Sequence, residues 1–202
     1  MDYPAFFDSV RKITLRDPLA ELLGASEGGM LEYGFTDVVK LAGHSCPTVA
    51  GAYLMTFKAL TALYGKETPV RGNIRVSFRD RQDSGVTGVI ANVVSMITGA
   101  AGEGGFKGLA GKYKRNGLLS FQAKIGGAIR FERMDTATAV ETDFHPELVS
   151  AGPNMSMLLQ GLLSETASAD DATAFAALWQ DRVRRILIEY FDDPALVTVA
   201  RV

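Results

Sequence analysis

Gly43-His44-Ser45-Cys46-Pro47-Thr48-Val49-Ala50-Gly51-Ala52-Tyr53-Leu54 is the stretch from which the rest of this chain is best read. A proline at 47 suits the first turn of a helix, where its missing N–H has no partner to lose, and Gly43 lets the chain bend tightly ahead of it. From there Val49, Tyr53, Leu54, Phe57, Leu60 and Leu63 or Tyr64 recur on one helical face, and Gly65 is placed to end the run. Cys46 therefore falls at a helix N-terminus, where unpaired N–H groups and the positive end of the helix dipole favour thiolate over thiol.

Upstream, Phe6, Phe7, Val10 and Ile13 stand at helical spacing, and Asp17-Pro18 supplies a cap and a first-turn proline for a short helix ending at Gly24. Residues 1–34 read as a helical lead-in. Ser26-Glu27-Gly28-Gly29 breaks it, and Thr36 or Asp37 caps a brief helix that reaches Gly43. Downstream, Ile74, Val76 and Phe78 alternate with Asn73, Arg75, Ser77 and Arg79, which predicts a half-buried strand within 70–79 followed by a turn at 80–83. Val89, Val93, Met96 and Ile97 return to helical spacing before Gly99. Asn116-Gly117 predicts a hairpin between strands near 106–111 and 118–124, and a further strand covers 129–134. The tail is helical over 153–163 and again behind Asp170 or Asp171, through Phe175, Trp179, Val183 and Tyr190, with a closing strand at 196–202. Met155, Met157 and the Trp179 helix read as core or dimer packing. The mixed order of elements predicts an α+β fold: a mixed or antiparallel sheet covered by helices, with a core at 35–150 and a helical extension at 151–202 packed on it.

Composition narrows the function. The 202 residues balance 21 Lys+Arg against 23 Asp+Glu, so no basic excess draws the chain to nucleic acid or to anionic lipid. Acidic Asp2 and Asp8 stand where a signal peptide carries basic residues, and no apolar run reaches membrane-spanning length, so a cytoplasmic location is the expectation. Cys46 is the single cysteine, which excludes an intramolecular disulfide, a four-cysteine zinc site and a self-contained iron–sulfur site.

Imidazole and thiolate bind borderline-soft metals best, and His44 and Cys46 place one of each two residues apart. The other histidine, His145, sits in Asp143-Phe144-His145-Pro146-Glu147 and is the remaining imidazole that can complete a site. Three protein ligands plus water is the open arrangement of catalytic zinc; a closed site needs a fourth ligand such as Asp80, Asp83, Asp143 or Glu147. Against this, Cys46 reads equally as a small buried hydrophobe, His44 as a hydrogen-bonded capping residue and His145 as a solvated loop histidine. The glycine-dense run from Gly99 to Lys112 fits neither phosphate-binding motif. A phosphate loop needs glycine where Phe106 stands and Ser or Thr where Tyr113 stands, and a dinucleotide fingerprint from Gly102 and Gly104 needs glycine at Lys107. A glycine turn whose backbone approaches an anion, with Lys107, Lys112, Lys114 and Arg115 nearby, stands beside the plain-loop reading.

Gly43-His44-Ser45-Cys46-Pro47 running into a helix with Gly51 and Tyr53 resembles the FmdE-like family, small proteins named after formylmethanofuran dehydrogenase, which open with G-H-x-C-P-G. The likeness extends more loosely through the strand at 70–79, the helix to Gly99, the turn into Gly111-Lys112 and the strand to Met134, about residues 35–145. It implies a homodimeric, metal-binding α+β domain similar to the catalytic-domain sheet of glyceraldehyde-phosphate dehydrogenases, with zinc or a similar divalent ion and His44 and Cys46 as the metal pair. Thr48 replaces the family's glycine, and its later cysteines are missing here. The family takes its name from the operon or complex of a larger enzyme, and this name assigns no reaction.

Three readings follow. A His44/Cys46 site, with His145 or an acidic residue, holds a divalent metal in an accessory or metal-dependent protein. Alternatively, Cys46 is a metal-free nucleophile with His145 or His44 as base, acting on an acyl-type small molecule. In the third, a dimeric structural module keeps the fold without the site.

Overall fold

The structure, a computed structural model, describes residues 2–202. A 3-10 turn at Ala5–Ser9 leads into β1 (Ile13–Arg16), which pairs antiparallel with β2 (Met30–Tyr33) across a short α1 (Pro18–Leu22). Asp17 caps α1 as expected, its carboxylate accepting the Leu19 and Ala20 amides. The expected lead-in helix stops early. Val10 turns extended after the 3-10 turn and Ile13 enters β1, so residues 1–34 supply a small two-stranded sheet as well as helical turns. Phe7 anchors this segment by packing edge-on against Phe35, centroids 5.0 Å apart.

Helix α2 (Phe35–Ala42) ends at left-handed Gly43, and α3 (Pro47–Tyr64) follows. Every residue from Val49 to Thr56 is buried, so α3 is covered on all sides rather than along one stripe. The main sheet lies on one side of it. Its strands are β3 (Ile74–Phe78), β4 (Leu119–Ser120), β5 (Ile129–Arg133), β6 (Ala139–Phe144) and β7 (Val197–Arg201), in the order β4-β3-β5-β6-β7. All pairs are antiparallel except β3 with β4. Val76 stands opposite Phe131, and Phe131 opposite Val140, so one apolar row crosses three strands toward the core. The approach of α3 is close enough that a Cβ on Gly51 would lie 2.3 Å from the Phe144 ring. With α4 (Thr87–Thr98) packed on α3 and β3, these elements make the α+β fold expected from the sequence. The other sheet face is polar: Arg75 pairs with Glu132 at 2.9 Å, and Ser120 bonds Ser77 at 3.0 Å.

The hairpin expected around Asn116-Gly117 does not form. Gly117 has positive φ but Asn116 does not, and a two-residue I′ turn needs both. Instead Ala110, Gly111 and Tyr113 take left-handed conformations and fold 106–116 into a tight loop, closed by the Arg115 amide on the Phe106 carbonyl. Leu118 and Leu119 donate to the Ala101 carbonyl, and Leu119–Ser120 joins β3 in parallel. A buried ion cluster pins the loop. The Asp17 carboxylate accepts from Arg115 at 2.6 Å and from Arg71 at 2.9 Å, and Arg71 also bonds the Met96 carbonyl. Gly72, at φ +82°, is required here, because a Cβ would fall 1.0 Å from the Arg115 guanidinium.

The C-terminal part adds α5 (Met155–Leu163) and α6 (Ala169–Arg184) as a helical hairpin, and α6 continues as a wider turn to Glu189. Ser168, rather than Asp170 or Asp171, caps α6 through a reciprocal bond with Asp171. The chain then returns as β7, the edge strand beside β6. Among the described residues no helix is long and apolar enough to cross a membrane.

Candidate functional site

Gly43 ends α2 and Cys46 begins α3, so residues 43–46 form a short joint between two helices. His44 is exposed. Its Nδ1 lies 2.9 Å from the Ala42 carbonyl, and because a carbonyl only accepts, Nδ1 carries the hydrogen and Nε2 is left with its lone pair free in the neutral ring. That is the orientation a metal-binding imidazole takes when a backbone carbonyl holds its other nitrogen. Cys46 is 9% exposed, and its Sγ accepts the Val49 amide at 3.4 Å, so the thiol acts as the N-cap of α3.

A cleft of about 120 Å³ opens beside His44, lined by Leu41, Ala42, Val89, Asn92 and Val93. Each water takes about 30 Å³ of liquid volume, and pockets for organic ligands run from about 300 Å³ upward. The cleft is therefore smaller than such pockets, and Leu41, Ala42, Val89 and Val93 make most of its lining apolar. Its polar side chains are His44 and Asn92, and Cys46 does not line it. Asn92 gives no signal in the sequence, since a lone asparagine on a helix belongs to no pattern.

The back of the joint is held by α6. Trp179 Nε1 donates to the Ser45 carbonyl at 2.9 Å, Gln180 Nε2 reaches the same oxygen at 3.4 Å, and Ser45 Oγ donates to Gln180 Oε1 at 3.0 Å. Two residues on, Arg182 donates to the Pro146 and Val149 carbonyls, both at 2.8 Å. Burial pushes its guanidinium pKa down, and the neighbouring Arg185 adds to that. One turn of α6 thus grips the His44–Cys46 joint and the segment after His145. His145 itself is partly exposed, follows β6, donates its amide to the Leu196 carbonyl and sets Nδ1 3.3 Å from Glu147.

Among the described residues, no group of three or more His, Cys, Asp or Glu side chains is placed to hold a metal ion. His145 consequently does not join His44 and Cys46 as a third ligand within one chain. Of the acidic candidates, Asp83 is paired with Arg81 at 2.9 Å, while Asp143 accepts the Ala128 amide at 2.9 Å. No protein-family model matches this chain, and no curated protein matches it.

Proposed function

We propose that the chain is an FmdE-like accessory protein in which His44 and Cys46 form a two-donor half-site for a divalent metal, zinc first among them. The observation that carries the proposal is the Nδ1–Ala42 bond, which presents His44 Nε2 as an oriented donor two residues from a thiol at a helix N-terminus. Zinc prefers four ligands, so this half-site needs donors from outside the chain, such as water and a second copy in a homodimer. When bound, such an ion supplies Lewis acidity. The chain's own residues orient the imidazole, through Ala42, and hold the joint still, through Trp179 and Gln180. Metal content of protein purified without added metal tests this reading, with His44→Ala and Cys46→Ser as the variants that should lose the ion.

A second reading is favoured by the thiol's burial and by the α6 contacts: the joint is a structural hinge pin in a module without a site. Under it, Cys46→Ser lowers stability and leaves metal content and ligand binding unchanged.

A further inference from the structure

The near balance of charge over the whole chain conceals a one-sided segment. Residues 104–131 hold Lys107, Lys112, Lys114, Arg115, Lys124 and Arg130 and no acidic residue. Within it, the loop at 106–116 is closed twice. The Leu109 and Lys112 backbones bond each other in both directions, at 2.9 and 2.8 Å, around Ala110-Gly111, whose φ of 47° and 78° are the paired positive values of a type I′ turn. At the base the Arg115 amide donates to the Phe106 carbonyl, and the Arg115 guanidinium is held by buried Asp17. The loop is thus fixed from below, and Arg115 is spent on that anchor.

The outward side chains of the loop have no such partners. Lys107, Lys112 and Lys114 are exposed, and among the described residues none of their side chains has an ion pair or hydrogen bond. Lys107 and Lys114 lie on opposite sides of the loop between its two closures, and Lys112 stands at the turn, so three like charges share a narrow loop that contains no acid. Among them stand Phe106 and Leu109, 42% and 43% exposed. Lysines around exposed apolar side chains are the two signals that together hold a protein on an anionic bilayer, the charges on the headgroups and the apolar groups in the interface. Acidic residues elsewhere in the chain do not cancel this, because at physiological salt charge is screened within about 8 Å. Single-stranded nucleic acid is the poorer fit, since it asks for flat rings along a basic groove and Leu109 offers no π face. We propose that the loop at 106–116 docks the protein on anionic lipid, independently of the metal half-site, with Lys107, Lys112 and Lys114 on the headgroups and Phe106 and Leu109 at the acyl boundary.

Flotation of the full chain with vesicles tests this. The protein should float with vesicles of equal parts phosphatidylcholine and phosphatidylserine and stay behind with phosphatidylcholine alone. Lys107→Gln/Lys112→Gln/Lys114→Gln should weaken binding roughly hundredfold, about fivefold per lysine, and added salt should weaken the wild type far more than this variant. Phe106→Ser/Leu109→Ser should also weaken binding while keeping its salt dependence. Lys12→Gln/Lys40→Gln/Lys66→Gln removes as much charge elsewhere and should bind as the wild type does. None of these residues belongs to the Asp17–Arg115 anchor, and each variant should keep the wild-type circular-dichroism spectrum. Equal binding to both vesicle types or to neither, a loop variant of either kind that binds as tightly as wild type, release by soluble phosphoserine as competitor, or uptake of a single-stranded oligonucleotide in place of vesicles through the same lysines would each overturn the proposal.

Discussion

Trp179 and Ser45, 134 residues apart in the chain, meet through a 2.9 Å hydrogen bond from the indole N–H to the backbone carbonyl. The bond ties the C-terminal hairpin to the joint that holds His44 and Cys46, so the geometry of the candidate site depends on a helix far from it in sequence. Trp179→Phe keeps most of the ring's packing and deletes the donor, leaving the Ser45 carbonyl with the longer Gln180 contact. The expected loss is about 0.5–1.5 kcal/mol of stability, read from urea midpoints. An unchanged midpoint would show that α6 does not brace the joint.

Gly51 sets the distance between α3 and the sheet. Gly51→Ala should cost about 1–3 kcal/mol or more, because its methyl would stand 2.3 Å from the Phe144 ring. Adding Phe144→Leu to Gly51→Ala should recover part of that loss, whereas Phe144→Leu alone destabilises by leaving a void. Additive losses in the double variant would contradict the close approach.

Acid should expose the role of Asp17. Burial pushes its carboxyl pKa up, but the Arg71 bond, the Arg115 charge and the Leu19 and Ala20 amides outweigh this and hold it below the ordinary carboxylate value of 3.8. Protonation is thus harder in the folded chain than in the unfolded one. The group's contribution is present above pH 3.8 and is lost as pH falls through the lower folded value. Asp17→Asn should therefore flatten the acid limb of a stability profile measured from pH 6 to pH 2. At neutral pH it should cost about 3–5 kcal/mol, because the buried Arg115 and its neighbour Arg71 lose their shared counter-ion. An acid limb as steep in the variant as in wild type would place the acid-labile group elsewhere.

Cys46 offers a kinetic test between the metal-free nucleophile and the other readings. Its burial and its bond to the Val49 amide lead to slow iodoacetamide labelling in the native chain and fast labelling in urea, with no change on chelation when the ion is absent. Rapid native labelling without chelator would instead support the nucleophile.

Much of the fold was legible because its signals are local. Pro47 and Gly65 bracket α3, Asp17-Pro18 starts α1, and alternation exposes β3 and β5. β6 escaped detection because its polar Glu141 and Thr142 are buried along with Ala139 and Val140. The Glu141 carboxylate is satisfied by the Gly126 and Gly127 amides, a contact no periodicity reveals. β1 was masked by Ile13, whose spacing continues the helical pattern of Phe6, Phe7 and Val10 although the backbone has already turned extended. In the candidate site, the His-x-Cys spacing and the helix start after it were legible. The Trp179 clamp and the Arg71–Asp17–Arg115 cluster were not, since both join segments more than 50 residues apart.

The half-site is tested most directly by elemental mass spectrometry on tag-free protein purified without added metal, comparing wild type with His44→Ala and Cys46→Ser. The account leads to a reproducible fraction of bound divalent metal in wild type, lost in both variants while their folds persist by circular dichroism. A folded wild type that carries no metal and takes up none on dialysis against zinc would contradict it.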